Sequence, residues 1–155
     1  MTTTAYVHGI YADRDRPDAR TRYLRVTLHD TVEQLRAAAA RRDRAYAGPG
    51  PDWSTTDGVW HPAVRRQKYD RKRGEWVDLT GAYAGHMRLA LDVVTPEVVM
   101  HESLHAACCI WRLDIDDRVS LGDDCGPDEE RLCYLAGGIA AAVSGIVDQA
   151  LEETP

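Results

Sequence analysis

Apolar and polar residues alternate from Tyr23 to His29 (YLRVTLH), the period-two pattern of a strand with one buried face. Asp30 or Thr31 can then cap a helix from Val32 to about Arg44, with Val32, Leu35 and Ala39 on one side. Gly48-Pro49-Gly50-Pro51 breaks the chain, and the stretch from there to about Gly85 has no clear period. Alternation returns at Met87-Arg88-Leu89-Ala90-Leu91, a second expected strand. Thr95-Pro96-Glu97 reads as a helix start: a threonine N-cap, a proline in the first helical position and an acid in the first turn. That helix should run from Pro96 to about Trp111. A polar loop, Asp114 to Asp124, precedes a last helix that opens at Gly126-Pro127-Asp128-Glu129 and continues to about Leu151. Strand, helix, irregular middle, strand, helix, helix is an α+β order, and 155 residues suit one domain spanning 1–155.

Charge and cysteine usage narrow the classes. A net charge of -6 argues against a general nucleic-acid binder, and the basic stretch Arg65 to Arg73 reads as a solvated loop or hairpin. No apolar h-region marks the N-terminus. The longest uncharged run, Leu132 to Val147, falls short of the roughly 20 apolar residues a spanning helix needs, so no membrane partner is expected. Cys108, Cys109, Cys125 and Cys133 include no CxxC pair and suggest small buried hydrophobes in a reducing, cytoplasmic setting.

The chemistry gathers at His101-Glu102-Ser103-Leu104-His105, an HExxH pattern inside the expected helix. Residues i and i+4 share a helix face, so the two imidazoles can converge on one ion. Glu102, one position on, can reach a water on that ion and act as its general base. With 6 histidines and 8 glutamates in 155 residues, chance gives this pattern in about one such chain in a hundred. The surrounding Val98, Val99, Met100, Leu104, Ala106, Ala107 and Ile110 make isolated surface histidines a poorer account, because ionisable groups on so apolar a helix need partners. Two imidazoles and a carboxylate suit Zn2+ best, and catalytic zinc usually takes three protein ligands. Glu129 and Glu130, in the first turn of the last helix, are candidates for the third; an acidic first turn favoured by the helix dipole explains either of them equally well.

HESLHAACC followed by DEERLCYLAG resembles the gluzincins, the thermolysin-like clan in which HExxH precedes a glutamate ligand on a later helix. The resemblance covers roughly residues 85 to 150 and is nearest to short phage and bacterial HExxH proteins, including antirepressor-type peptidases that cleave a repressor. It implies a minimal zincin-like domain, with a small sheet and the HExxH helix packed on the C-terminal helix. Counting from Glu130 places the small Cys133 at +3, Tyr134 at +4 and Gly137 at +7, as the clan pattern asks; counting from Glu129 fits less well. The implied metal set is therefore His101, His105 and Glu130. It also implies that Met87 to Leu91 is the edge strand lining the cleft, able to hold an extended peptide. Tyr134 stands where the clan often has an aspartate that orients the first histidine. The chain also departs from the clan pattern in having no downstream His or Tyr placed as an oxyanion stabiliser; Tyr83, His86 or Tyr134 could serve, and none is assigned.

His8, His29 and His61 stand alone and read as surface or loop residues. Cys109, four residues after His105, reads as packing rather than ligand. Gly137, Gly138 and Gly145 with Ala140 to Ala142 suggest a smooth face for close packing of the last helix on the HExxH helix. Two functions follow from these residues: a zinc peptidase acting on a peptide or protein substrate, or a zinc-stabilised binding or regulatory protein on the same scaffold.

Overall fold

The computed structural model describes residues 2–12, 20–44, 52–63, 67–78, 81–115 and 127–153. They form β1 (Thr2–Ile10), β2 (Arg22–His29), α1 (Val32–Arg44), β3 (Gly58–Pro62), β4 (Gln67–Asp70), β5 (Glu75–Asp78), β6 (Tyr83–Ala90), α2 (Pro96–Asp114) and α3 (Pro127–Glu152). The fold is α+β. A four-stranded mixed sheet runs in the order β1-β2-β6-β3, parallel only between β2 and β6, and β4 pairs with β5 in a separate hairpin.

The alternation of β2 sorts the sheet into two faces. Leu24, Val26 and Leu28 join Met87 and Leu89 of β6 under α2 and α3, where Val99, Ala106, Ile110, Trp111, Leu135, Ile139 and Val143 complete the main core. Ala90 and Val59 turn the other way and pack with Val32, Leu35 and Ala39 of α1. α2 and α3 thus close the first face, and α1 covers part of the second, each through a matching apolar stripe. The caps also hold: the Thr95 hydroxyl accepts from the Val98 N–H at 3.4 Å, and Thr31 rather than Asp30 caps α1, accepting from the Gln34 N–H at 3.4 Å.

Several expectations need correction. The strand expected over Met87 to Leu91 spans Tyr83–Ala90 and lies inside the sheet, between β2 and β3. Its two faces explain this, because Met87 and Leu89 are buried on one side and His86 and Ala90 on the other. Helices cover the sheet on both sides at this strand. The edge beside α2 is β3, a five-residue strand with a glycine and a proline that no alternation marks. β1 was also missed, being a largely exposed edge strand with a register shift between Val7 and Ile10. The basic stretch enters the β4–β5 hairpin, with Arg73 near Asp70 and Glu75; its residues 65 and 66 lie outside the described residues. So do the Gly48–Pro51 break, Cys125 and most of the loop before α3. His29 and His61 are not surface residues but are buried within strands, whereas His8 is exposed.

α3 is long and apolar enough, by length and composition, to cross a membrane; here Leu132, Leu135, Ala136, Ile139 and Val143 pack it into the core. Its glycines do not make that packing face. A side-chain carbon added at Gly137, Gly138 or Gly145 would meet nothing within 4 Å.

One buried ion pair ties the far end of α2 to the sheet. The Arg22 guanidinium, fully buried at the start of β2, donates from Nε to both Asp114 carboxylate oxygens at 3.0 and 3.1 Å and also from Nη2. Its Nη1 donates to the Gly81 carbonyl at 2.6 Å. Removing one member of such a pair leaves a charge without water or counter-ion. Asp114→Asn should therefore cost about 3–5 kcal/mol of unfolding free energy in urea titrations, with the slope unchanged; a loss under about 1 kcal/mol would show that the pair is not the anchor.

Candidate metal centre

His101 and His105 stand one turn apart on the outer side of α2, both exposed, with their Nε2 atoms 3.1 Å from each other. Their rings meet edge to face, with centroids 4.7 Å apart. Zn–N bonds of about 2.0–2.1 Å would subtend an angle of roughly 100° across that gap, near the tetrahedral value, so the pair fits a shared ion. The gap also suits an N–H of one ring donating to the lone pair of the other, which requires at least one neutral imidazole. Burial and the neighbouring His101 push the His105 pKa below its ordinary value. Both effects favour the neutral form that binds metals.

Glu102 turns toward β3 and lines the same cleft as the histidines. Only 6% of it is exposed, and burial raises its carboxyl pKa against the opposing pull of His101 and of the Trp60 backbone N–H, which donates to it. That N–H belongs to β3, so the edge strand holds the acid at the floor of the cleft. The contact is close because position 58 has no side chain. A carbon added at Gly58 would fall 2.8 Å from Val98 Cγ1 and 2.9 Å from Glu102 Cγ. A second glycine seats Trp60: the indole lies 2.4 Å from where a side-chain carbon of Gly85 would sit. Neither glycine drew notice in the sequence. The only signal was a glycine inside a short apolar run, which can mark a close approach.

Between α2 and β3 lies a cleft of about 700 Å³ lined by His101, Glu102, His105, Trp53, Trp60 and Arg112, among others. The HExxH residues therefore share one hollow with two tryptophans and a cation. Cys109 also borders it, but its thiol is aimed at the Ala84 carbonyl, 3.8 Å away, and burial raises its pKa, which disfavours the ligating thiolate. Packing is its role.

Neither glutamate expected as a third ligand lines the cleft with the histidines. Glu130 is exposed in the first turn of α3, Glu129 is half-exposed there, and neither lines the cleft. Among the described residues, no group of three histidine, cysteine or acidic side chains forms a metal cage. Tyr83, His86 and Tyr134 do not line the cleft either. Tyr134 is 74% exposed and borders a different hollow, between β1 and α3. Arg112, which sequence reasoning passed over, is the cation that does line the cleft.

The approach of β3 to α2 yields a direct test. Gly58→Ala should push the strand from the helix and release the Glu102 carboxylate to solvent. The expected loss is about 1–3 kcal/mol of stability, in the range of overpacked sites. Thermal unfolding of the variant checks it; full wild-type stability would mean that the contact yields without cost.

No family model, curated protein or solved structure matches this chain.

Proposed function

We propose that the protein is a zinc-dependent hydrolase of peptide bonds, with His101, His105 and Glu130 as metal ligands and Glu102 as general base. The observation that carries this reading is the paired Nε2 atoms, 3.1 Å apart, next to a buried carboxylate in the same cleft. A bound zinc ion would supply Lewis acidity, polarising the scissile carbonyl and acidifying water. Glu102 takes a proton from the attacking water and passes it to the leaving nitrogen. The Trp60 N–H and the burial behind the carboxylate fix the direction from which it works. Trp53 and Trp60 offer apolar walls for side chains of an extended peptide, and β3 is the edge strand beside which it would lie. Glu130 enters the ligand set from the resemblance to gluzincins, completing it as the ion binds. The described cysteines Cys108, Cys109 and Cys133 are free, in keeping with a reducing cytoplasmic setting.

A second reading draws on one observation, the separation of Glu130 from the cleft. On that reading the metal only stabilises a binding or regulatory protein. Zinc content separates the ligands. The purified protein should hold about one zinc per chain. His101→Ala and His105→Ala should lose most of it, Glu130→Ala should weaken binding by tens-fold, and Glu129→Ala should leave it near wild type. Equal zinc in all of these proteins would remove the site.

Catalysis is separated from metal holding by Glu102→Gln, which keeps size and removes the base. Zinc content should stay at the wild-type level, while hydrolysis of the cognate protein, followed by fragment appearance, should fall by at least about a hundredfold. If cleavage persists in Glu102→Gln and stops in His101→Ala, the base is another group. If neither the wild type nor the variant cleaves, and both need zinc to bind their partner, the binding-protein reading stands.

A further inference from the structure

The sheet face turned away from the histidine cleft carries cations that no carboxylate answers among the described residues. Arg25 and Thr27 of β2 and His86 and Arg88 of β6 share this face. The register sets Arg25 opposite His86 and Thr27 opposite Arg88, so the two arginines are diagonal neighbours across the parallel pair. Both are half-buried, and the Nε of each is enclosed without a hydrogen-bond acceptor. Arg25 has no ion pair or hydrogen bond through its guanidinium among the described residues. Among the described residues Arg88 has only a long contact, Nη1 to His29 Nε2 at 3.5 Å.

A guanidinium that merely reaches to solvent keeps its donors wet. Here an inner donor of each is taken from water and given no acceptor, a costly arrangement. Two positive charges side by side add repulsion. Among the described residues no carboxylate is paired with Arg25 or Arg88: Tyr23 and Tyr83 pack with ring centroids 5.5 Å apart, and His86 is bonded to the Thr27 hydroxyl at 2.8 Å. Burial and the fields of Arg88 and Arg25 hold the His86 pKa down to about 3, so the ring is neutral at physiological pH. Burial, Arg42 and Arg25 likewise depress the Arg88 pKa. Apart from Tyr83, which favours the charged form of Arg88, the charged neighbours acting on His86 and Arg88 are cations.

We propose that Arg25 and Arg88 form a binding site for a phosphate group, on the sheet face opposite the metal cleft. A phosphate dianion matches two guanidiniums in charge, and its tetrahedral oxygens offer acceptors to both forks at once. A carboxylate would neutralise only one. The site is separate from the histidine pair and does not depend on the hydrolase reading. The phosphate can arrive as the free ion or on a nucleotide, whose base would find the Tyr23 and Tyr83 rings beside it.

The test is thermal unfolding and calorimetric titration of the full chain with inorganic phosphate, against sodium chloride at equal ionic strength. A saturable rise of about 5 °C or more at a hundredfold excess over Kd is expected. Arg25→Gln and Arg88→Gln should each weaken phosphate binding at least tenfold while leaving zinc content unchanged. Adenosine monophosphate binding at least tenfold more tightly than inorganic phosphate would assign the site to nucleotides; equal affinity would assign it to the free ion. A wild-type protein that responds no more to phosphate than to chloride overturns the proposal, as do glutamine variants that bind phosphate as well as the wild type does. Should either glutamine variant fail to fold, Arg25→Lys and Arg88→Lys keep the charge but lose the planar fork, and the same tenfold weakening is expected.

Discussion

A missing side chain governs the geometry around the histidine pair. Gly58 lets β3 come within contact of α2, and only at that distance can the Trp60 N–H reach the Glu102 carboxylate and close water away from it. The histidines themselves depend on little more than helix periodicity. The acid depends on the sheet. The HExxH segment therefore divides its work: the outer face presents nitrogen donors that any exposed helix could carry, while the inner face needs this strand, this glycine and this register.

The sheet has two faces of different character. Beneath α2 and α3 it is apolar, and its packing holds the helix that bears the histidines. On the other side α1 covers only part of the surface, through Val32, Leu35 and Ala39. Beside those contacts the strands carry buried Thr27, His29 and His86 and half-buried Tyr23, Arg25 and Arg88. A face that only had to be filled would be better served by valine or isoleucine, as in the facing core. Its polar, cationic content is what one finds where a sheet meets a charged ligand.

The α+β class, the start of α2 with its threonine cap and proline, the HExxH face and the extent of α3 were legible because each rests on local chemistry. β2 was legible because Leu24, Val26 and Leu28 alternate cleanly. What was missed depends on distant partners. β3 is too short and too rich in glycine and proline to show a period, and its identity as the cleft edge arises only from pairing with β6 and contact with α2. The edge position expected for β6 came from the resemblance to gluzincins, and its partners β2 and β3 are set by pairing that one strand does not reveal. His29 and His61 seemed solitary because the residues that bury them come from elsewhere in the chain. The smooth stripe on α3 misled in the opposite way: the glycines lie outside the packed face, and the alanines and aliphatics beside them fill it. Glu130 came from motif spacing along the chain, which does not say how near the first turn of α3 lies to the histidines.

The parallel pairing of β2 with β6 has a kinetic consequence. These strands are joined across a long separation, as the Thr27–His86 bond between residues 59 apart illustrates, and α1, β3 and the hairpin are strung between them. Until that loop closes, β2 has only β1 as a neighbour and α2 has no sheet to lie on. The chain must surrender the entropy of a long loop before the contacts that repay it exist. Helices form early in such a chain, and the central strand pair waits. The HExxH helix can thus be complete, with its histidines already in line, well before the molecule has built the strand edge against which its glutamate is pressed.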